Sequence, residues 1–439
     1  MNQQSEYVTV IGAGYVGLVT AVGLCETGHR VELIERDAAR LAMLEQGRVP
    51  IFEAGLHDAY ERALQGGSLR VSGRASSPLG MTLVCVGTPI SDDGRSDLTQ
   101  LRNALADIDE VAGPQTVLVL RSTLPVGGAA HIHAWTKVPT ARIFTNPEFL
   151  RQGSAMSDFR QPARVVVGRF DDASESALAA VIHLVEVPGA QTFLVDVTAS
   201  ELIKNGANAF LALKLSFANE LAALAEEVGT DVGDVLAGIT SDPRIGSSYL
   251  KPGFGFGGSC LPKELQTLAV AGRSVGLDMH VTTAASMANL AQQDRFATRI
   301  ATILSGVQGR RIGLLGLAFK GGTDDVRSSP ALRLATSLMA SGAELRAFDP
   351  QAAANARRVL PDLQTVPDAQ SAFVDADAVV VATEWPEFRE LPYEQLRSLM
   401  ATPLLFDGRR LLDAPALRDL GYRVVVLGAG ERDQVAVGG

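Results

Sequence analysis

The segment Gly12 to Gly17, with the sequence GAGYVG, constrains the fold of this chain more than any other feature. An apolar run, Tyr7 to Ile11, precedes it, and a helical pattern from Leu18 to Thr27 follows. A strand, a GxGxxG turn and a helix in this order form the phosphate-binding unit of dinucleotide-binding domains. The first glycine permits the tight turn, Gly14 lets the backbone approach a pyrophosphate, and Gly17 lets helix and strand pack closely. The N-terminal part of the chain is therefore predicted to bind a dinucleotide.

The residue after the next predicted strand indicates which dinucleotide binds. That strand runs from Arg30 to Ile34 and is followed by Glu35, whose carboxylate can accept hydrogen bonds from the ribose hydroxyls. This favours NAD over NADP. The adjacent Arg36 leaves NADP open, because an arginine at this place can accommodate a 2′-phosphate.

Further strands alternate with helical segments through the first half of the chain. They are predicted at Met81 to Val86, Thr116 to Leu120, Arg142 to Thr145, Arg164 to Val167 and Thr192 to Val195. The alternation predicts a parallel, doubly wound sheet, in which the ligand lies at the carboxyl ends of the strands. Thr88, Thr123 and Glu148 follow these strands and are candidate site residues, although turn chemistry alone also explains polar residues at strand ends.

The second half of the chain repeats the pattern without a second GxGxxG. Its predicted strands are Arg311 to Gly316, Glu344 to Phe348, Ala378 to Ala382, Leu404 to Phe406 and Arg423 to Leu427. We therefore predict an α/β protein with two doubly wound Rossmann-like domains, joined by a long central helix and a helical middle domain. The predicted domains are residues 1–197, 198–305 and 306–439. Lys320 and Arg327, after the first of these strands, suit the phosphates of a nucleotide that is not a dinucleotide.

Composition excludes several classes of protein. A net charge of −10 over 439 residues disfavours nucleic acid and anionic membranes as partners. Cys25, Cys85 and Cys260 are odd in number and far apart, which argues against a disulfide framework and against a zinc site. No run is long and apolar enough to span a bilayer, and the first residues lead into a strand without a signal-like region, so we expect a cytoplasmic protein without a metal.

A long helix is predicted from Ser200 to Val228, with a capping box formed by Thr198 and Glu201. Its apolar residues cover more than one face, which predicts burial between domains or subunits and hence a homodimer. Lys204 and Asn208 are four residues apart, so both can point into a site. A lysine that reaches solvent and a satisfied amide are the alternative from the helical pattern alone.

The glycine-rich segment from Lys251 to Glu264, KPGFGFGGSCLPKE, places a cysteine in a reactive environment. Its four glycines permit positive φ angles and close approach of a ligand to the backbone. Pro262 favours the start of a helix, so Cys260 is expected at a helix N-terminus, where oriented N–H groups and the helix dipole stabilise a thiolate. A buried structural cysteine is the alternative for such a residue.

This segment resembles the active-site loop of the UDP-glucose/GDP-mannose dehydrogenase family. Other segments resemble the motifs of that family in order along almost the whole chain: PIFEAGL, VGTP, RSTLPVG, NPEFLRQGSA, KNGANAF, SDPRIG, GLAFK, TDDVRSSPA, TEW and DGRRLLD. The resemblance implies NAD as the cofactor and a nucleotide sugar as the substrate.

The resemblance also implies a set of site residues. The implied catalytic residues are Cys260, Lys204, Asn208, Glu148, Thr123 and Glu264. The implied contacts with NAD are Gly12, Gly14, Tyr15, Val16, Gly17, Glu35, Thr88, Thr123 and Arg327. The implied contacts with the nucleotide sugar are Glu148, Phe149, Leu150, Lys204, Asn208, Arg244, Tyr249, Lys251, Gly257, Lys320 and Arg409.

The activity implied by the resemblance is the four-electron oxidation of UDP-glucose at C6 to UDP-glucuronate. Cys260 would form a thiohemiacetal and then a thioester, which water activated by Glu148 would hydrolyse. The chain departs from the family pattern at Gln152, where a second acid is often found, and at Glu264, where aspartate is usual. GDP-mannose as the substrate, and an inactive nucleotide-sugar-binding protein, are the alternatives.

Overall fold

The fold is that of a computed structural model, which describes residues 7–91 and 93–430. The chain divides into two compact units. The first contains the residues up to Ala207 together with Val270–Leu277, and the second contains Asn208–Ala269 and the residues from Asp278 onward. The division into three domains after residues 197 and 305 stays a prediction.

The first unit is an α/β unit. Its strands are β1 (Val8–Ile11), β2 (Val31–Ile34), β3 (Leu69–Ser72), β4 (Leu79–Val84), β5 (Ala112–Leu120), β6 (Ile143–Thr145), β7 (Arg164–Arg169) and β8 (Gln191–Asp196). Its helices are α1 (Tyr15–Glu26), α2 (Ala38–Glu45), α3 (Leu56–Gln65), α4 (Thr99–Val111), α5 (Ala155–Arg160) and α6 (Glu175–Val185). Two short 3₁₀ helices, Ala129–Ala134 and Thr140–Arg142, precede β6.

The eight strands form one sheet in the order β3-β2-β1-β4-β5-β6-β7-β8, whose first six strands have the arrangement of a dinucleotide-binding fold. The predicted doubly wound sheet is confirmed, with one correction. We expected parallel strands throughout, whereas β7 pairs with β6 in the antiparallel sense. The segment between them contains only the six-residue α5, about 9 Å of helix, in place of a crossover helix along the sheet. The chain therefore re-enters the sheet from the edge at which β6 ends.

Both faces of this sheet are covered. Val10 and Leu33 pack with Leu18 of α1 on one face, whereas the next residues along the same strands, Ile11 and Ile34, pack on the other face with α4. Successive side chains of a strand point to opposite faces, so a run of apolar residues supplies two cores. The sequence prediction missed β3, an edge strand with a single buried residue, because so little of it is apolar and buried.

Four helices connect the two sheets along the chain. They are α7 (Val197–Val228), α8 (Val232–Thr240), α9 (Leu261–Ser274) and α10 (His280–Ile303). The predicted capping box of α7 is wrong. Asp196 Oδ1 accepts the hydrogen bond from Ala199 N at the start of this helix, and Glu201 accepts hydrogen bonds from another loop. None of the helices in residues 7–91 and 93–430 is both long and apolar enough to cross a membrane.

The second sheet has five parallel strands in the order β10-β9-β11-β12-β13. They are β9 (Arg311–Leu315), β10 (Glu344–Phe348), β11 (Ala378–Val381), β12 (Leu404–Asp407) and β13 (Arg423–Val426). The helices of this region are α11 (Pro330–Ala340), α12 (Ala353–Val359), α13 (Tyr393–Leu396) and α14 (Ala414–Asp419), with 3₁₀ helices at Gln370–Ala372, Pro386–Arg389 and Arg397–Leu399. All five strands had been predicted from the sequence to within about one residue, because their short apolar runs are bounded by Gly, Pro and Asp.

Candidate active site

The turn between β1 and α1 has the geometry that a pyrophosphate requires. Gly12 has a φ angle of +96°, which L side chains rarely adopt. A Cβ at Gly17 would lie 1.8 Å from the carbonyl oxygen of Gly12, so a side chain at this place would collide with the turn. A Cβ at Gly14 would have no neighbour within 4 Å, so there is open space at the N-terminus of α1. These residues fit a dinucleotide whose phosphates bind the helix N-terminus.

Glu35 follows β2 and is buried. Its Oε1 accepts a hydrogen bond from Asp37 N at 2.9 Å, and its Oε2 lies 3.8 Å from the Arg40 guanidinium. Arg36, which had left NADP open, forms an ion pair with Asp107 at 3.1 Å. The arginine beside Glu35 is therefore Arg40, which sequence reasoning missed because it lies one helical turn further along the chain.

Tyr15, a predicted cofactor contact, is bonded to a buried acid. Its hydroxyl donates to Glu53, and burial, reinforced by that carboxylate, raises the pKa of Tyr15 far above its ordinary value. Glu53 also accepts hydrogen bonds from Gly153 N at 2.6 Å and Ala155 N at 2.8 Å. It thereby connects the first turn of α1 to the segment that follows Glu148. Sequence reasoning did not select Glu53, although it lies in a segment that matched the family pattern.

The loops after β4 and β5 are held by hydrogen bonds from side chains. Thr88 Oγ1 donates to the carbonyl oxygen of Thr123 at 2.7 Å. The next residue, Leu124, accepts from Asn205 Nδ2 at 3.1 Å. The carboxylate of Glu201 accepts from Gly127 N and Ala129 N, each at 2.6 Å. Two adjacent turns of α7 therefore fix the segment that follows Thr123.

Glu201, on α7, is an acid whose pKa is raised by its surroundings. Burial raises its pKa to about 7, even though the backbone N–H groups that it accepts from act in the opposite direction. It also lines a small cavity together with Ser200, Lys204, Thr145 and Ser122. A perturbed pKa beside a cavity can indicate a functional site, but structural networks perturb pKa values as well, and both oxygens of Glu201 are used to hold a loop.

Glu148 and Lys204 form a buried ion pair. Lys204 Nζ lies 3.2 Å from Glu148 Oε1, and the two side chains are 3% and 7% exposed. The second carboxylate oxygen of Glu148 accepts a hydrogen bond from Leu150 N at 2.6 Å. The Lys204 ammonium also lies 5.3 Å from the centre of the Phe149 ring. Four residues predicted for the substrate site are thus in direct contact within the first unit.

Asparagines and a glutamine hold the backbone of the glycine-rich loop in the second unit. Asn219 Oδ1 of α7 accepts from Gly253 N at 2.8 Å, and Gln292 Nε2 of α10 donates to Gly253 O at 3.1 Å. Asn289 Oδ1 accepts a hydrogen bond from Phe256 N at 2.8 Å, and Asn289 Nδ2 donates to Phe256 O at 3.0 Å. Sequence reasoning missed these three residues, because the only sign of their role in the sequence is that they are polar residues within helices.

The end of this loop packs closely against the segment that follows β9. A Cβ at Gly257 would lie 2.0 Å from the carbonyl oxygen of Ser328, so no side chain fits there. Gly258 has a φ angle of +83°, and its N donates to Arg327 O at 2.9 Å. The glycines therefore allow two backbone segments to meet immediately before Cys260.

Cys260 lies directly before α9, as the sequence predicted. Its carbonyl oxygen accepts from Glu264 N at 2.9 Å, which is the first hydrogen bond of the helix. The Glu264 side chain is buried and accepts a hydrogen bond from Asn208 Nδ2. Arg327 is bonded to Asp325, which raises the pKa of that guanidinium, and the negative charge of a Cys260 thiolate acts in the same direction. Cys260, Glu264, Asn208 and Arg327 therefore form one cluster within the second unit.

Arg409 contacts backbone carbonyl groups. Its Nη1 donates to Gly255 O at 3.0 Å and its Nε donates to Ala382 O at 2.9 Å, while the guanidinium lies over the Phe254 ring at 4.7 Å. Arg409 thus connects the glycine-rich loop to the end of β11. These hydrogen bonds do not test whether Arg409 contacts the substrate, so that role stays a prediction.

The remaining predicted substrate residues lie in loops of the second unit. Arg244 is 87% exposed and pairs with Asp242 at 2.5 Å. Tyr249 is half-buried with a φ angle of +59°, Lys251 is exposed, and Lys320 is half-buried beside the Phe319 ring. Their roles stay predictions.

The fold and these clusters define a class of protein. The first unit combines the glycine turn and the acid after β2 that recognise a dinucleotide, and the second presents a cysteine at a helix N-terminus. Together they are typical of a dinucleotide-dependent oxidoreductase that uses covalent catalysis.

Comparison with known proteins identifies the family. Three models of the UDP-glucose/GDP-mannose dehydrogenase family match: its NAD binding domain at residues 6–185, its central domain at residues 198–291 and its UDP binding domain at residues 313–414. The chain belongs to the UDP-glucose/GDP-mannose dehydrogenase family, and its cofactor is NAD.

Individual relatives align along nearly their full length. UDP-glucose 6-dehydrogenase YwqF of Bacillus subtilis is 38% identical over 412 residues, which cover 92% of this chain and 93% of that protein. UDP-glucose 6-dehydrogenase of Rickettsia typhi is 34% identical over 430 residues, covering 96% and 99%. A solved UDP-glucose dehydrogenase structure from Pyrobaculum islandicum has 33% identity and a TM-score of 0.85, covering 98% of this chain and 100% of that chain.

The contrast between Gly14 and Gly17 gives a matched test of the NAD site. Gly17→Ala places a methyl group against Gly12 O, so we expect it to lower the free energy of unfolding by about 1–3 kcal/mol. Gly14→Ala meets no neighbour, so we expect its stability to stay within about 0.5 kcal/mol of the native protein. Its methyl group nevertheless fills the space that a pyrophosphate needs, and NAD should bind at least about tenfold more weakly.

Urea unfolding measures the stabilities, and calorimetric titration measures the affinity for NAD. Native affinity in Gly14→Ala would contradict the placement of the pyrophosphate at this turn.

Proposed function

We propose that this protein oxidises UDP-glucose at C6 to UDP-glucuronate. The observation that carries the proposal is the position of Cys260, directly before α9 and in one cluster with Asn208 and Glu264. A cysteine is what the oxidation of an alcohol to a carboxylate needs, because an aldehyde has no good route for a second hydride until a heteroatom adds to it. The relatives named UDP-glucose 6-dehydrogenase support this choice of sugar.

When bound, NAD accepts a hydride from C6 in each of two oxidations. The Cys260 sulfur adds to the aldehyde carbon, which gives a thiohemiacetal, and the second oxidation of this carbon gives a thioester. Water then attacks the thioester carbon, the C–S bond breaks, and the uronate leaves while the thiol is restored. We assign Thr88, Thr123 and Arg327 to the cofactor, together with the glycine turn and Glu35.

We propose separate roles for the polar residues around this chemistry. Asn208 and Lys204 stabilise the negative charge that develops on the C6 oxygen when sulfur adds. Glu148 takes a proton from the attacking water. The ion pair with Lys204 and the bond from Leu150 N hold its carboxylate in place, which general-base catalysis requires.

The remaining predicted residues are assigned to the nucleotide sugar. They are Phe149, Leu150, Arg244, Tyr249, Lys251, Gly257, Lys320 and Arg409. The match of residues 313–414 to a UDP binding domain supports a nucleotide role for Lys320 and its neighbours. Location in the cytoplasm stays a prediction.

The substrate and the stoichiometry are tested in one experiment. The purified protein is mixed with NAD and either UDP-glucose, GDP-mannose or a UDP-N-acetylhexosamine, and NADH is measured by absorbance. We expect the highest kcat/KM with UDP-glucose and two NADH for each sugar consumed, because the product is a carboxylate. A ratio of one with released aldehyde would contradict the covalent route, and preference for another sugar would reassign the substrate.

The role of Glu148 predicts a trapped intermediate. Glu148→Gln keeps the shape of the side chain but loses the base, and general-base assistance is worth roughly 10²–10⁴-fold. With UDP-glucose and NAD this variant should give a burst of NADH followed by slow turnover. Mass spectrometry should find one uronyl nucleotide on the peptide that contains Cys260.

Cys260→Ala in the Glu148→Gln background is the control and should form no adduct. Native turnover by Glu148→Gln, or an adduct that persists without Cys260, would show that these roles are wrong.

We also propose that two copies of the chain pair through α7. Phe210, Phe217 and Leu224 recur every seven residues on this helix, and their exposures are 61%, 47% and 58%. A heptad stripe of this kind lies along one side of a helix and is typical of helices that pack against a second helix. A second copy covers the same stripe on both chains at once, as a two-fold interface does.

Substitution within the stripe tests the homodimer. Phe217→Asp combined with Leu224→Asp should shift the native dimer to a monomer at micromolar concentration, as measured by light scattering. Val359→Asp is the control, because Val359 is 64% exposed on α12, outside the stripe. A native protein that is monomeric, or a dimer unaffected by the double substitution, would contradict this interface.

A further inference from the structure

We propose that Glu264 is a positioning residue that fixes the orientation of the Asn208 side-chain amide. The proposal rests on the function proposed above and concerns the residue at which this chain departs from the usual aspartate. It assigns to Glu264 an effect on catalysis that is exerted through Asn208.

The contact that carries the proposal is a hydrogen bond between two helices of the second unit. Asn208 Nδ2, on α7, donates to Glu264 Oε2, on α9. Glu264 is 1% exposed, so solvent does not compete for this carboxylate. Glu264 also lies in the helical turn that begins at Cys260, whose carbonyl oxygen it contacts through its N–H. The bond therefore joins Asn208 to the turn that presents the nucleophile.

The chemistry of the two groups decides which way the amide faces. A carboxylate has lone pairs and no proton to donate, whereas a primary amide has an oxygen acceptor on one side and two N–H donors on the other. The amide oxygen would be repelled by Glu264, so the nitrogen must face it. One N–H is used by Glu264, and the second N–H remains as a donor. That second N–H is the group that stabilises an oxyanion.

The length of the side chain fits this role. Ala209 and Ala212 of α7 pack with Leu265 of α9 and with Phe256 and Ala285 in one buried cluster, which sets the spacing of the helices. At this spacing the glutamate reaches Asn208. An aspartate is shorter by one C–C bond, about 1.5 Å. Glu264→Asp should therefore keep the charge but lose the direct bond.

A thermodynamic cycle separates positioning from a structural contact. Glu264→Gln keeps the length of the arm but can pair with either side of the amide, so it removes the preference for one orientation. The cycle comprises the native protein, Glu264→Gln, Asn208→Ala and the double variant. For each, kcat and KM are measured with UDP-glucose at saturating NAD.

We expect Glu264→Gln to lower kcat about tenfold, less than the roughly 10²–10³-fold that loss of a whole oxyanion donor costs. KM for UDP-glucose should change less than about twofold, because the amide acts when charge develops on the oxygen. In the Asn208→Ala background the same substitution should lower kcat by less than about twofold. Effects that act through one residue are not additive.

Thr267→Val is the matched control on the same helix. Thr267 is buried, and its Oγ1 has no hydrogen-bond partner among the described residues, so the substitution should leave kcat unchanged. Thermal unfolding checks that each variant is folded. Should Glu264→Gln not fold, Glu264→Asp takes its place in the cycle with the same expected pattern.

The outcomes distinguish this proposal from the proposed function. Additive losses in the cycle, or a loss that appears mainly in KM, would overturn the role of Glu264 in a protein that still oxidises UDP-glucose. A native protein that forms no NADH with any nucleotide sugar would overturn the proposed function itself.

Discussion

The ion pair between Lys204 and Glu148 is the interaction on which the arrangement of the first unit depends. Both groups are almost wholly buried, and a buried charge that loses its partner costs about 3–5 kcal/mol. The lysine can meet Glu148 only if α7 starts where it does and the segment after β6 stays at the edge of the sheet. Glu201 and Asn205 lie near Lys204 on α7 and form hydrogen bonds with the backbone of the segment after β5. One helix thus fixes two loops that follow neighbouring strands.

The same helix has a comparable task in the second unit. Asn208 contacts Glu264, and Asn219, three turns further on, holds the backbone of the glycine-rich loop. This explains why polar residues occur inside a helix that is apolar on several sides. Burying a polar side chain costs free energy, and this cost is offset because each of these side chains forms a hydrogen bond with a buried partner. The exposed heptad of Phe210, Phe217 and Leu224 occupies another side of the helix, so the proposed dimer surface and the polar residues lie on different faces.

Local patterns predicted much of the fold and of the candidate site. The turn at Gly12 to Gly17 was predictable because glycine alone readily adopts its positive φ angle and its close backbone contact. The helix after Cys260 was predictable because proline favours a first helical turn. The antiparallel strand β7 was not, since strand direction depends on the path of the connection and not on the strand residues. The pairing of Arg36 with Asp107 of α4, and the place of Arg40 beside Glu35, depend on where these residues lie in the folded chain. No property of the residues themselves fixes such choices of partner.

Acidic residues were the hardest to interpret, because a buried carboxylate can act as a base or can hold a loop. Glu53 accepts from Gly153 N and Ala155 N, Glu201 accepts from Gly127 N and Ala129 N, and Asp349 accepts from Leu317 N and Ala318 N. Glu53 and Glu201 use both oxygens for N–H groups of a loop that is distant in sequence, whereas Asp349 uses Oδ2 for such a loop and Oδ1 for Gln351 N and Ala352 N of its own turn. These N–H groups would otherwise be left unpaired on burial. Glu148 differs, because it accepts one backbone N–H and its other oxygen faces an ammonium group. That difference in partners, which only the folded chain reveals, is the physical reason to propose proton transfer for Glu148 and structural roles for the other three.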